Sequence, residues 1–276
     1  MIPSIWRPSK LPKPQSRCLV YFLCGNPGRI EYYADFLDGL RAMLDETEEK
    51  TAFDIFGRNL LGFSDDADDD GALWDLEAQI NMAAADVEAR AETYDRVILT
   101  GHSIGAYIAV EVIHRSSSSS TTTSSQSTPH LHGILLFPTI ASLAQSRSGR
   151  RIQQLRRVPA FTSYAPSVGR TLARVVPERV LRWLVERFMG FSTRAAAVTA
   201  SWLRSERGLA QTLALGLSEL DTFILGCQER ERKGGGSVVV EVDGGRLPHA
   251  FCTTEQNSWL VAKTVHGWIR DVERGC

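Results

Sequence analysis

Several things are scarce in this 276-residue chain, and each scarcity removes a class of function. No uninterrupted apolar run approaches the roughly 20 residues a membrane-spanning helix needs. The stretch from Met1 to Arg17 carries prolines and basic residues but no apolar centre, which argues against a secretory signal peptide. Net charge is -1, so nothing suggests a nucleic-acid partner. There are five cysteines, at 18, 24, 227, 252 and 276. They form no CxxC pair and no Cys/His cluster with metal-ligand spacing, so reduced structural thiols are expected, with no metal and no organic cofactor.

What the chain does have is alternation between strand-like and helix-like segments. The run Cys18 to Gly25 is continuously apolar and closes on glycine, as a buried parallel strand does. Apolar residues then recur at Ile30, Tyr33, Phe36, Leu37, Leu40 and Leu44, one face of a helix. Thr51–Asn59, Asp95–Gly101, Gly133–Pro138 and Ser237–Asp243 are further strand candidates. Between the second and third, the acidic loop Ser64 to Gly71 opens onto a helix carrying Leu73, Leu76, Ile80, Ala84 and Val87. A last helix aligns Val261, Val265, Trp268, Ile269 and Val272. Repeated units of this kind predict an α/β fold, one domain over 1–276, with a mainly parallel sheet covered by helices on both faces.

Two stretches break the rhythm. Ser116 to Ser127 is almost wholly Ser and Thr and cannot bury apolar surface. It is expected to be a disordered surface insertion over about 116–128. Gln228 to Gly236, charged and glycine-rich, reads as a linker.

The most informative segment is Gly101-His102-Ser103-Ile104-Gly105, with a strand before it and the helix-forming AYIAVEVIH after it. That context is what a nucleophile elbow requires: a sharp turn holds Ser103 exposed at the carboxyl edge of the sheet. The N–H of Ile104, at the helix start, would face an oxyanion. A structural turn is the alternative. A serine hydroxyl needs a base, and in this arrangement the base comes last in the chain. His249, in Leu247-Pro248-His249-Ala250-Phe251, precedes the final helix and is the favoured base. His266, inside that helix, is read as structural, and His102 as packing. No role follows for His130 or His132. The second oxyanion donor belongs in the loop after the first core strand, Gly25-Asn26-Pro27-Gly28. Proline has no N–H, so Asn26 is the candidate; otherwise the loop is simply a tight turn.

Taken together, GNPGRIEYYADFL, GHSIGAYIAVEV, LLFPTIASLA and LPHAF, in that order, resemble the lipid droplet-associated hydrolase family, its fungal members in particular. The resemblance implies an α/β-hydrolase fold with a helical cap over about 145–225. It also implies a place on lipid droplets in the cytoplasm and a weak esterase activity on lipid or sterol esters, with Ser103 as nucleophile and His249 as base. One element does not map. Family members place a strand ending in a segment like G-x-x-D-x-W, with the catalytic Asp, where this chain reads LGCQERERKGGGS between about 225 and 237. One late strand and its acid are therefore expected to be missing. Asp221 belongs to the preceding helix, and Asp243, ending the last strand, would serve only if the sheet rearranged. Loss of the acid costs a serine hydrolase up to ~10⁴ in kcat.

In the cap, Glu178 to Gly208 carries Val180, Leu184, Phe188 and Phe191 on one helical side, widened by Trp183 and Met189. Arg179, Arg182 and Glu186 fall opposite. The helices of 177–208 would suit a phospholipid monolayer, or pack on their own domain.

Overall fold

The computed structural model describes residues 2–64, 72–119, 130–138, 159–226 and 247–274. Among these residues five strands form one sheet: β1 (Ser4–Arg7), β2 (Ser16–Leu23), β3 (Thr51–Arg58), β4 (Arg96–His102) and β5 (His130–Leu136), in the spatial order β1-β3-β2-β4-β5. Only β1 runs antiparallel, along β3; the other pairings are parallel. The unbroken apolar run of β2 suits its place at the centre: Cys18 to Leu23 is buried throughout, between β3 and β4.

Helix α1 (Ala34–Thr47), entered through a short 3-10 turn Ile30–Tyr33, connects β2 to β3. Helix α2 (Leu76–Ala91) leads to β4, and α3 (Ile104–Ser119) follows it. The step from β2 to β3 and the steps from β3 to β4 and β5 run in opposite directions across the sheet. Right-handed crossovers then put α1 on one face and α2 with α3 on the other. Arg115 on α3 ties to Glu77 on α2 at 2.8 Å.

After β5 come the cap helices α4 (Pro159–Val175), α5 (Glu178–Met189), α6 (Thr193–Arg204) and α7 (Gly208–Gly226), and finally α8 (Glu255–Arg274). Helix α8 lies on α1. A Cβ added at Gly39 would meet the Trp259 ring at 3.4 Å, and His266 Nε2 reaches Thr47 Oγ1 at 2.8 Å, a structural role as its sequence position implied. The cap is anchored to the loop after β2: Arg29 donates to Ser201 Oγ at 2.9 Å, and the Tyr32 and Thr199 hydroxyls meet at 2.8 Å.

Some expectations shift. Strand β1 was not foreseen in the proline-containing N-terminus. Helix α2 begins at Leu76, not Leu73, because the Asp75 side chain accepts the Ala78 N–H at 2.8 Å and so fixes the start there; Leu73 lies outside and is exposed. Strand β5 starts three residues earlier than expected and stops before Phe137. Ser116 to Ser119 continue α3 instead of belonging to a disordered segment; the Ser117 hydroxyl bonds back to the Ile113 carbonyl at 2.9 Å. Residues 177–208 form two helices, with Phe191 between them and Val185 turned inward. The strand expected at Ser237–Asp243, the linker Gln228–Gly236 and the gap in the family pattern lie outside the described residues.

Candidate active site

The chain reverses its direction of winding between β2 and β4, and the carboxyl ends of strands at such a reversal are the usual place for a ligand in an open α/β sheet. Both sequence motifs converge on that point. Leu23 pairs with Gly101, so the loop that begins at Cys24 emerges beside the turn at Ser103.

The turn at Ser103 is strained and specific. Ser103 has φ 54°, a left-handed conformation that costs an L-residue about 1–3 kcal/mol. It is held by a hydrogen bond from its own N–H to the Leu136 carbonyl at 2.9 Å. The two glycines allow the close crossing of α3 over the sheet: a Cβ on Gly101 would lie 2.2 Å from the Gly105 carbonyl oxygen, and one on Gly105 2.3 Å from that of Leu23.

His249 arrives from the loop before α8. Its Nε2 lies 3.0 Å from Ser103 Oγ, within hydrogen-bond distance; with that nitrogen unprotonated, the hydroxyl donates to it. Burial lowers the His249 pKa below its ordinary value near 6.5, and among the described residues no carboxylate opposes that shift. Asp221 lies on α7, and Asp243 is outside the described residues.

Around this pair runs a network that the sequence did not reveal. The Gly25 N–H donates to the Tyr33 hydroxyl at 2.9 Å; that hydroxyl stands 2.7 Å from His102 Nδ1; and His102 Nε2 stands 2.9 Å from the His249 carbonyl oxygen. His102 is buried, and desolvation, helped by the neighbouring His249, pushes its pKa down to about 3. The expectation of packing is met in part, since its ring contacts Phe137 and Phe251, but both ring nitrogens are also engaged. Phe137, with φ 46°, closes the other side, its ring centre 6.0 Å from that of His249.

Two N–H groups near the turn are taken, that of Gly25 by Tyr33 and that of Ser103 by Leu136. Next in sequence come Asn26 and Ile104, the two expected donors. Ile104 opens α3, so its N–H has no intrahelical acceptor. Gly25 places the Asn26 loop against the turn: a Cβ there would meet Ser103 Cβ at 3.3 Å and His102 Nδ1 at 2.8 Å. The Asn26 side chain reaches the Thr212 carbonyl on α7 at 2.9 Å and so ties this loop to the cap. Among the described residues, no group of three or more His, Cys, Asp or Glu could hold a metal ion.

A model of the family described as lipid-droplet associated hydrolase matches residues 16–231, well over half of the chain. The chain belongs to the lipid-droplet associated hydrolase family. It is 26% identical over 191 residues to the lipid droplet-associated hydrolase of Mus musculus, a match spanning 62% of this chain and 52% of that protein. The Gallus gallus protein of the same name is 26% identical over 193 residues, covering 61% and 50%. The match thus spans only about half the length of these relatives. Among solved structures, the juvenile hormone epoxide hydrolase of the silkworm Bombyx mori superposes with a TM-score of 0.51 at 10% identity, over 98% of this chain and 73% of that one. That likeness bears on the fold alone, which is the α/β-hydrolase fold.

Proposed function

We propose that this chain is a serine-type carboxylic ester hydrolase that works on lipid or sterol esters at the surface of lipid droplets. The observation that supports this most is the 3.0 Å contact between His249 Nε2 and the hydroxyl of Ser103, held in a left-handed turn at the carboxyl end of β4. In this reading Ser103 Oγ attacks the ester carbonyl carbon as its proton passes to His249 Nε2. The developing oxyanion is held by the N–H groups of Asn26 and Ile104. Collapse expels the alcohol, which takes the proton back from His249. Water, deprotonated by the same ring, then cleaves the acyl-serine and releases the acid. The reaction requires no cofactor.

The surface of the cap supports action on a lipid monolayer. Eight of the twelve exposed large apolar side chains among the described residues sit on α4 and α5: Tyr164, Val168, Leu172, Val175, Val180, Trp183, Phe188 and Met189. On α4 they follow a helical spacing. Basic residues flank them on the same helices, at 170, 174, 179, 182 and 187. An apolar stripe bordered by arginines suits insertion among phospholipid headgroups. No helix of the described residues is long and apolar enough to cross a membrane.

A second reading, a non-catalytic droplet-surface protein that keeps the hydrolase fold, is favoured by one observation: burial alone acts on His249, with no carboxylate of the described residues supporting its charged form. The two readings separate on treatment with a fluorophosphonate. The esterase reading expects an adduct on Ser103 that Ser103→Ala abolishes. The other expects none, with droplet binding that survives Ser103→Ala and is lost on deletion of residues 177–208.

A further inference from the structure

We propose that His102 and Tyr33 are positioning residues that tether the base: His102 holds the backbone of His249 through its Nε2–H, and Tyr33 fixes the ring tautomer that makes this bond possible. The inference rests on the reading of Ser103 and His249 as nucleophile and base.

The direction of every hydrogen bond in the network is dictated by its two ends. The Gly25 N–H can only donate, so the Tyr33 oxygen accepts there. The His249 carbonyl can only accept, so His102 Nε2 carries a hydrogen. A neutral imidazole with Nε2 protonated has a bare Nδ1, and the Tyr33 hydroxyl supplies its proton to it. His102 is neutral because it is buried, and Tyr33 keeps its proton because burial raises its pKa well above the ordinary tyrosine value. With His102 neutral, no other assignment satisfies all three contacts.

The consequence is geometric. The loop bearing His249 is exposed from Pro248 to Ala250, and a catalytic ring on such a loop needs an anchor. One anchor is Phe251, buried among Tyr33, Phe36, His102 and Phe137. The other is the tether from His102, the residue immediately before the nucleophile. It locks the base loop to the nucleophile turn, and through Tyr33 to the loop carrying Asn26. A serine hydrolase ordinarily orients its base ring with a carboxylate. Among the described residues that orientation falls to this backbone tether. Misplacing a reacting group by about 1 Å can cost on the order of 100-fold in rate.

The test compares the full chain with His102→Leu, His102→Gln and Tyr33→Phe, reading the rate of fluorophosphonate labelling of Ser103 from pH 5 to 9, with thermal unfolding to confirm the fold. Glutamine keeps an N–H near the position of Nε2. The expected result is a fall of about 10- to 100-fold for His102→Leu and Tyr33→Phe, recovery to within about threefold in His102→Gln, and the same pH midpoint throughout, because His249 remains the base. Equal rates in folded His102→Leu and the parent would overturn the proposal. So would a loss in His102→Gln as deep as in His102→Leu, or a pH midpoint that vanishes with His102. Nitrogen-15 NMR of the histidine rings reads the tether without any chemistry: His102 should be the Nε2–H tautomer from pH 5 to 8 and depart from it in Tyr33→Phe. A different tautomer in the parent overturns the proposal. The stated tautomer in a parent that never labels leaves the tether standing and removes the esterase reading instead.

Discussion

His102 and His249 lie with ring centres 5.0 Å apart, and burial lowers the pKa of both, but the consequences fall on different properties. For His249, partly open to solvent, burial lowers the pKa below 6.5. A base acts when neutral, so labelling of Ser103 should rise with pH, reach half its plateau below about 6.5, and stay level above. A half-rise at or above 6.5 would mean that a carboxylate supports the imidazolium after all. For His102 the effect falls on stability. An imidazole with a folded pKa near 3 and an unfolded value near 6.5 binds fewer protons when folded. Its contribution to stability is therefore full above 6.5 and declines as pH falls towards 3, by up to about 1.4 kcal/mol per pH unit. Urea unfolding at pH 7.5 and pH 5 should show a smaller acid penalty in His102→Gln than in the parent; an equal penalty would contradict the buried neutral ring. Ser103 and His249 were legible in the sequence because each sits in a local pattern, a strand-turn-helix and a loop before the last helix. The part played by Tyr33 was not, since its bond to His102 joins positions 69 residues apart, and no periodicity encodes that meeting.

Among the elements, β2, β3 and β4 were readable because strands buried on both faces are written as apolar runs; β5, buried only at Ile134 and Leu136, was found by its apolar end and its start was missed. Strand β1 escaped: four residues on a sheet edge, half of them exposed, carry no such signature. The cap gave its composition but not its seam, because a helix with apolar residues on more than one side leaves the inward face to tertiary packing, here Val185. The outward Trp183 and Phe188 make a direct prediction. Replacing both with Ser should weaken binding to phosphatidylcholine–phosphatidylserine vesicles by about tenfold or more, since each side chain contributes on the order of 1 kcal/mol when it leaves water. Labelling of Ser103 should be unchanged in the same protein, and unaltered vesicle binding would remove the lipid-facing role of α5. Within the elbow, Gly105→Ala puts a methyl group 2.3 Å from the Leu23 carbonyl oxygen and 2.5 Å from that of Cys24. Backbone atoms on both sides cannot yield cheaply, so chemical denaturation should show a loss of at least about 2 kcal/mol, or no folded protein at all. A near-neutral effect would mean that α3 does not cross the sheet so closely.

The whole molecule brings three distant loops to one end of the sheet: the turn after β2, the elbow after β4, and the approach to α8. Topology does this, through the reversal of strand order between β2 and β4, with the cap helices α6 and α7 bonded to the first of those loops. The sequence foretold the fold class and pointed to Ser103 and His249, which lie 3.0 Å apart, because both belong to motifs met in chain order. It did not foretell how the base loop is held, which depends on packing between elements. Among the described residues no carboxylate supports the charged form of His249. The most direct measurement is mass-spectrometric mapping of the adduct formed by a fluorophosphonate on the purified, folded chain. The expected result is a single modification on Ser103 that disappears in Ser103→Ala and slows by at least about 10³-fold in His249→Ala. A folded chain that takes no label, or takes it elsewhere, would contradict the assignment of Ser103 as nucleophile.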